Sequence, residues 1–338
     1  MTITPAAPAI DVIGAVQLLS RHAENASAFL ALNDETRHFT APGIDGLVAY
    51  RPAGRRWLVQ LGGPFAARAE QPALLAAFEA WAAGQRRRVL AVQLLRHDAE
   101  LYAGSGYVVN QLGSSYSISL EGYSLRGRKM VKVRNMVNRA HREGITVAEV
   151  PYAQRAAVTG ALDAIDAAWL GAKGRHTKEL AFMIGERDGR GAPYRRLFVA
   201  QYDGRPVGYV SCAPVYGVES GWLYDLTRRA PDAPPGVIEA VFAHAVEVFQ
   251  AEGAGWLHLG LTPFAGMDPS VEVPGANRRM VKLGGFLSTR GHKIYPAATQ
   301  ASFKLKWLPQ VTRPEYIAFA GKVRLGGMYA LGKLTRTV

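Results

Sequence analysis

One order of segments occurs twice in this chain, and it limits the fold more than any other feature. RRLFVAQYDGRPVGYVSCAPV (195–215) holds two apolar runs joined at Asp203-Gly204, a turn signal that predicts a hairpin. A further apolar run, GWLYDLTRR (221–229), precedes a helical stretch, PPGVIEAVFAHAVEVFQAEG (234–253), and a strand, WLHLGL (256–261). The first half runs in the same order. DGLVAYRPAGRRWLVQLGG (45–63) reads as two strands turning at Pro52–Gly54, QPALLAAFEAWAAGQ (71–85) as a helix and VLAVQLL (89–95) as a strand. A short helix ending in LYAGSGY and one more strand follow. Such a duplication predicts an α/β (α+β) chain of two tandem domains, 1–122 and 146–338, with residues 123–145 between them.

The connecting stretch is unusual in its charge. LRGRKMVKVRNMVNRAHREG (125–144) carries Arg126, Arg128, Lys129, Lys132, Arg134, Arg139 and Arg142, with no acid before Glu143. Met130, Val133, Val137 and Ala140 fall on one side of a 3.6-residue helix, and Arg128, Lys132, Arg139 and Arg142 on the other. The expected helix docks its apolar side on a core and turns its basic side outward. A solvated surface helix normally mixes signs, because Glu and Lys at helical spacing support each other. Unmixed cations call for a compensating polyanion, and the formal net charge of +13 points the same way, to RNA, DNA, anionic lipid or an anionic cofactor.

Several chemistries leave no trace. There is no HExxH, CxxC or Cys/His cluster, so zinc is not indicated, and neither GxxxxGK[ST] nor a GxGxxG after a strand occurs. The single cysteine, Cys212 in YVSCAPV, excludes an internal disulfide framework and reads as a small core residue. His258 in WLHLGL reads as a hydrogen-bonded core histidine. No signal peptide and no bilayer-length apolar stretch stand out, so the expectation is a cytoplasmic protein. A peripheral seat on the inner face of the plasma membrane is the alternative. The segment GKVRLGGMYALGKLTRTV (321–338) is basic with scattered apolar residues that suit anionic lipid, but its paired glycines make it a poor helix.

Order and contents resemble the acyltransferase superfamily that includes the N-acetyltransferases (GNAT), with Leu101-Tyr102 and Gly106-Tyr107 similar to that fold's LYxxxGF ending. Acetyl-CoA enzymes of the superfamily cradle pyrophosphate with a [QR]xxGx[GA] loop between a strand and the next helix. Residues 250–255 (QAEGAG) match the letters but close a helix and precede a strand, whereas phosphate-binding amides belong at a helix start. At the corresponding place RRAPDAPPGVIEA (228–240) holds three prolines, which delete amide donors. Acetyl-CoA is not the expected donor.

SLRGRKMVKVRNMVNRAHREGITV (124–147) and YDLTRRAPDAPPGVIEA (224–240) resemble segments of the phosphatidylglycerol lysyltransferase C-terminal (aminoacyl-phosphatidylglycerol synthase) family. FLALNDETRHFTAPGIDGLVAYR (29–51), WLHLGLTPFAG (256–266) and HKIYPAATQASFKLKWLPQVTRPEYIAF (292–319) resemble others, in matching order. The resemblance implies two tandem acetyltransferase-like folds joined by a basic helix. It also implies transfer of an amino acid from aminoacyl-tRNA, the co-substrate, to an acceptor hydroxyl, with no resident cofactor and no metal. The family's membrane-embedded flippase-like region has no counterpart here, so the chain reads as a stand-alone soluble member. Phe303-Lys304-Leu305-Lys306-Trp307 also departs from the family, which tends to place an acid between these lysines. The acceptor therefore stays open between a phosphatidylglycerol-type lipid and a small amine or hydroxylamine of a natural-product pathway. A non-catalytic RNA-binding protein is the reading from another class.

The resemblance also suggests roles. Asp225 lies in an apolar strand, where an unpaired carboxylate is expensive. It would hold the donor's α-ammonium group, or else pair structurally with Arg228 or Arg229. Arg228 would orient that carboxylate or meet phosphate. Lys304 and Lys306 flank Leu305, share one side of an expected strand, and would meet the tRNA 3′ phosphates or stabilise the oxyanion. Tyr224 and Glu239 are substrate-facing candidates, and Glu239 also suits the first turn of its helix. The cations of 126–142 would lie along tRNA phosphates, positioning the nucleic acid without reading sequence.

Overall fold

The computed structural model describes residues 10–172, 182–290 and 297–337. The chain opens with α1 (Val12–His22), β1 (Arg37–Phe39), β2 (Gly46–Ala53), β3 (Trp57–Ala66), α2 (Gln71–Gly84), β4 (Arg88–Leu94), α3 (Arg96–Gly104) and β5 (Tyr107–Ser119). After α4 (Val131–Arg142) come β6 (Thr146–Glu149), α5 (Ala156–Ala172), β7 (Arg196–Tyr202), β8 (Arg205–Val215), β9 (Gly221–Arg229) and α6 (Val237–Ala251). The rest is β10 (Trp256–Pro263), α7 (Arg278–Arg290), α8 (Ala297–Leu305), β11 (Val311–Ala320) and α9 (Leu325–Leu334).

The duplication read from the sequence is visible in the pairing. β1, β2 and β3 are antiparallel, α2 crosses over, and β4 lies parallel to β3. β7, β8 and β9 are antiparallel, α6 crosses over, and β10 lies parallel to β9. The turn between β7 and β8 has φ of 48° at Asp203 and 71° at Gly204, the positive pair that an Asp-Gly hairpin turn requires.

The halves are not closed units. Among the described residues all strands form one sheet in the order β1-β2-β3-β4-β11-β5-β10-β9-β8-β7-β6. β11 fills the place between β4 and β5, and β5 lies against β10. Each half thus completes the other with its last strand, covering an edge that would otherwise present unpaired backbone groups. The division at 122 and 146 follows chain order, and the sheet runs on across it.

Both faces are covered, so strands read as apolar runs rather than strict alternations. Leu47 and Ala49 face a core shared with α1 and α9, while Val48 and Tyr50 face one shared with α2 and α3. In the second half α4 and α6 pack on Phe198, Val210 and Leu257, and α5 packs on Val199 and Tyr209 from the other side. Cys212 is buried and its thiol is pushed up by burial. His258 is held between the Ser117 hydroxyl (2.8 Å) and the Glu219 carbonyl (2.9 Å), and burial lowers its pKa.

Helix α4 has the expected faces. Met130, Val133, Val137 and Ala140 are buried, and Arg126, Arg128, Lys129, Lys132, Arg139 and Arg142 are exposed. Arg134 is half-buried and donates to the carbonyls of Leu125 (2.7 Å) and Gly127 (3.3 Å), so it secures the turn leading into the helix. Arg139 pairs with Glu143 at 2.6 Å.

Two local expectations need correction. Lys304 and Lys306 do not share a strand: 297–305 is helix α8, and Lys306 follows in its last hydrogen-bonded turn. Residues two apart on a helix diverge by about 200°. The apolar anchors Phe303 and Trp307 fit helical spacing, Phe303 stacking on Tyr224 and Trp307 on Phe242. The glycine-containing segment is also helical, as α9. A Cβ on Gly327 would meet the Trp57 ring at 2.9 Å, so the missing side chain lets this helix lie against β3. Packing overrides the low helix propensity. Among the described residues no helix is long and apolar enough to cross a membrane.

Candidate functional site

β9 and β10 pair only from Gly221↔Trp256 to Leu223↔His258 and then part. The gap opens into a cleft of about 1000 Å³. Its walls are the rest of β9, the proline loop 233–236, the first turn of α6, Gly260 and Leu261 of β10, and parts of α8 and α9; Met136 of α4 reaches its rim. The proline loop therefore lines the cleft directly. Residues 250–255 end α6 and lead into β10, as expected, with Gln250 donating to the carbonyls of Leu120 and Tyr123 at 2.8 Å.

Parted strands leave carbonyls that need donors. The Lys304 Nζ donates to the carbonyls of Gly260 (2.9 Å) and Leu261 (2.8 Å). The residue keeps some exposure, but its ammonium is enclosed, and burial lowers its pKa to about 7 against the attraction of Glu315. Glu315 on β11 is 1% exposed, and burial raises it to about 7, opposed by a hydrogen bond from Ser115 and by Lys304. A lysine poised near neutrality is equipped to take up and return a proton at a cleft wall.

Asp225 lies where the β8–β9 ladder slips: Ser211 pairs with Leu226 and Cys212 with Tyr224, leaving Asp225 unpaired in a bulge. Bulges re-aim side chains beside active sites. Here the carboxylate meets Arg195 Nη1 at 2.5 Å, with side chains only 4% and 1% exposed. The second Arg195 arm reaches Asn33 Oδ1 at 2.7 Å. The Gly185 backbone also hydrogen-bonds the carboxylate, and a Cβ there would lie 1.8 Å from Oδ2, so only glycine permits the approach. Burial raises the Asp225 pKa, while Arg195 and the Gly185 amide hold it down.

The expected partner of Asp225 was Arg228 or Arg229. The structure assigns Arg195 instead. Arg228 stays in the regular ladder opposite Tyr209 and turns to α5, its guanidinium 4.0 Å from the Trp169 ring centroid and 3.9 Å from Asp166. It lines the cleft with Asp225. Lys306, expected at phosphate or oxyanion, is bound to Glu239 at 2.7 Å and lies 3.9 Å from the Phe303 ring centroid. Glu239 is in the first turn of α6, as read, and lines the cleft. Tyr224 also lines it, packed between Phe242 and Phe303, with its hydroxyl pKa raised by burial.

Asp225, Arg228, Lys304, Tyr224 and Glu239 thus converge on one cleft. Arg195, Asn33 and Glu315 were missed. Glu315 carries the signal that exposed Asp225, an acid inside an apolar strand, and the same reasoning applied to VTRPEYIAFA would have found it. Nothing local marks Arg195, whose partner is thirty residues away.

The chain matches the family model described as phosphatidylglycerol lysyltransferase, C-terminal, over residues 16–319. It is 28% identical over 293 residues to the phosphatidylglycerol lysyltransferase of Bacillus subtilis, covering 85% of this chain and 32% of that protein. The chain spans about a third of the length of the curated relatives it matches. Among solved structures it is similar to L-PGS from Bacillus licheniformis (TM-score 0.76, 24% identity, 98% of this chain and 99% of that one). It is equally similar to the C-terminal domain of a putative lysylphosphatidylglycerol synthetase from Agrobacterium fabrum (TM-score 0.76, 22% identity, 97% and 96%). The chain belongs to the phosphatidylglycerol lysyltransferase C-terminal family.

Proposed function

We propose, with that membership as premise, that this chain moves an amino acid from aminoacyl-tRNA to the hydroxyl of a phosphatidylglycerol-type lipid. The observation that carries the reading is Lys304, an enclosed amine held on the Gly260 and Leu261 carbonyls at the wall of a cleft of about 1000 Å³. By order the chain divides into residues 1–122, a basic connector 123–145, and residues 146–338 that supply most of the cleft.

The donor ester is already activated, so the protein's work is placement, proton transfer and charge stabilisation. Neutral Lys304 has two N–H bonds, which the Gly260 and Leu261 carbonyls accept, and a lone pair for a third direction. The acceptor oxygen attacks the ester carbonyl carbon as its proton passes to that lone pair. The tetrahedral intermediate collapses, the C–O bond to the terminal ribose breaks, and Lys304 returns the proton to the leaving ribose oxygen. Asp225, its carboxylate paired with Arg195, holds the α-ammonium group of the amino acid. Arg228, held on Trp169 and Asp166, braces the cleft wall that carries Asp225; Tyr224 and the Lys306–Glu239 pair shape the rim, and the outward cations of α4 hold the acceptor arm. The protein would work in the cytoplasm against the inner face of the membrane.

The test follows radiolabel from mixed aminoacyl-tRNA into a lipid extract and into water-soluble products. Label in lipid, abolished by ribonuclease, is expected. Label in a small amine would reassign the acceptor. Turnover of acetyl-CoA without tRNA would overturn the reading.

A further inference from the structure

A second pocket lies at the starts of β3 and β4, whereas the cleft-lining Gln93 lies near the far end of β4. It encloses about 390 Å³ and is lined by Arg56, Arg86, Arg88 and Arg324 with Trp57 and Gly326. We propose that it is a non-catalytic anion site that seats the phosphate of an anionic phospholipid and docks this face on a membrane surface. The inference goes beyond the transferase reading and does not need it.

Four arginines line it and no acidic residue does. Such a cluster repels itself unless an anion joins it, and Arg is the side chain best matched to phosphate. The Nε of Arg324 is buried with no hydrogen-bond partner among the described residues, a donor awaiting an acceptor. Arg324 is also the residue before α9, and its side chain does not cap the helix. The first amides of that ten-residue helix add positive potential beside the pocket.

The neighbouring surface selects lipid over RNA. Leu325 is 87% exposed and Tyr329 57% exposed, one turn apart on α9. An aliphatic and an amphipathic ring protruding next to cations suit the headgroup–acyl boundary, and RNA offers no place for the leucine. Met328, Leu331 and Gly332 of the same helix line the cleft. One helix therefore links the docked surface to the site.

The experiment is co-sedimentation with vesicles of phosphatidylcholine alone or mixed equally with phosphatidylglycerol. Wild type should bind the mixed vesicles and not the neutral ones. Each arginine near an anionic surface contributes roughly five-fold to partitioning, so Arg56→Gln/Arg86→Gln/Arg88→Gln should weaken binding on the order of 100-fold. All three residues are exposed, so folding should survive, checked by thermal melting. Leu325→Ser should weaken vesicle binding while leaving the response to soluble glycerophosphate unchanged, which separates a bilayer from a free phosphate. Equal sedimentation of the triple variant and wild type would overturn the proposal. So would full displacement by inorganic phosphate with no effect of Leu325→Ser, or loss of tRNA affinity in the triple variant with vesicle binding intact.

Discussion

Replacing Lys304 tests the proposed chemistry most directly. At an ordinary lysine pKa near 10.5, roughly one amine in three thousand is neutral at pH 7; at a pKa of about 7 about half are. Burial thus raises the neutral fraction of this amine at pH 7, and a positioned base contributes roughly 10²–10⁴-fold. Lys304→Met should therefore lower single-turnover transfer by 10²–10⁴-fold. Two carbonyls lose their donor, at a cost of about 1–3 kcal/mol each, partly offset by removal of a buried cation. Lys304→Arg separates base from cation, because arginine keeps the charge and cannot deprotonate. Wild-type transfer, corrected for spontaneous ester hydrolysis, should rise as pH increases through about 7, and both variants should be flat there. A near wild-type rate in Lys304→Arg, or an unchanged pH profile in Lys304→Met, would refute proton transfer by this residue.

Reversing charge at Arg128, Lys132 and Arg139 should weaken tRNA binding with no change in melting temperature, and flatten a salt slope of roughly −0.7 to −0.9 per phosphate contact; unchanged binding at two salt concentrations would make α4 a solvated face. Asp225→Asn should keep tRNA binding and lose about 100-fold in transfer, since the charge that places the donor is gone, and it should also lower stability because buried Arg195 loses its counter-charge. Arg195→Met should destabilise by about 3–5 kcal/mol, read by denaturant unfolding, because it strands a buried carboxylate. Stability should also pass through a local minimum near pH 7. Glu315, with its pKa raised from 4.5 to about 7, contributes stability below pH 4.5 that is lost as pH rises through about 7. Lys304, lowered from 10.5 to about 7, contributes a penalty below pH 7 that is relieved between about 7 and 10.5. Unfolding measured across that range should lose its minimum in Lys304→Met/Glu315→Gln.

Local chemistry was legible in the sequence and distant pairing was not. The Asp203-Gly204 turn, the two faces of α4 and the proline loop follow from spacing and turn residues, and all three stand in the structure as read. Asp225 stands out as an acid among Trp222, Leu223, Tyr224 and Leu226, and the family resemblance of 224–240 supplies its role. Its partner was not, because a bulge decides where the side chain points and no one-dimensional pattern records a skipped ladder position. The lysines of α8 were misplaced because FKLKW alternates like a strand, while Phe303 and Trp307 fit a helix equally well. Helix α9 was missed because Gly327 is there for the Trp57 ring, some 270 positions earlier in the chain.

The traded strands constrain how this chain is made as well as what it does. β4 is complete by Leu94, yet its inner neighbour is residues 311–320, so the first half leaves the ribosome before the strand that finally covers that edge has been made. Until β11 arrives, that edge is a template for any extended stranger. Pairings of such long span also close slowly. Synthesis of this protein should therefore lean on holding chaperones far more than its size suggests. A backbone nick anywhere in 123–145 should leave two fragments interlocked by their borrowed strands, separable only by denaturant.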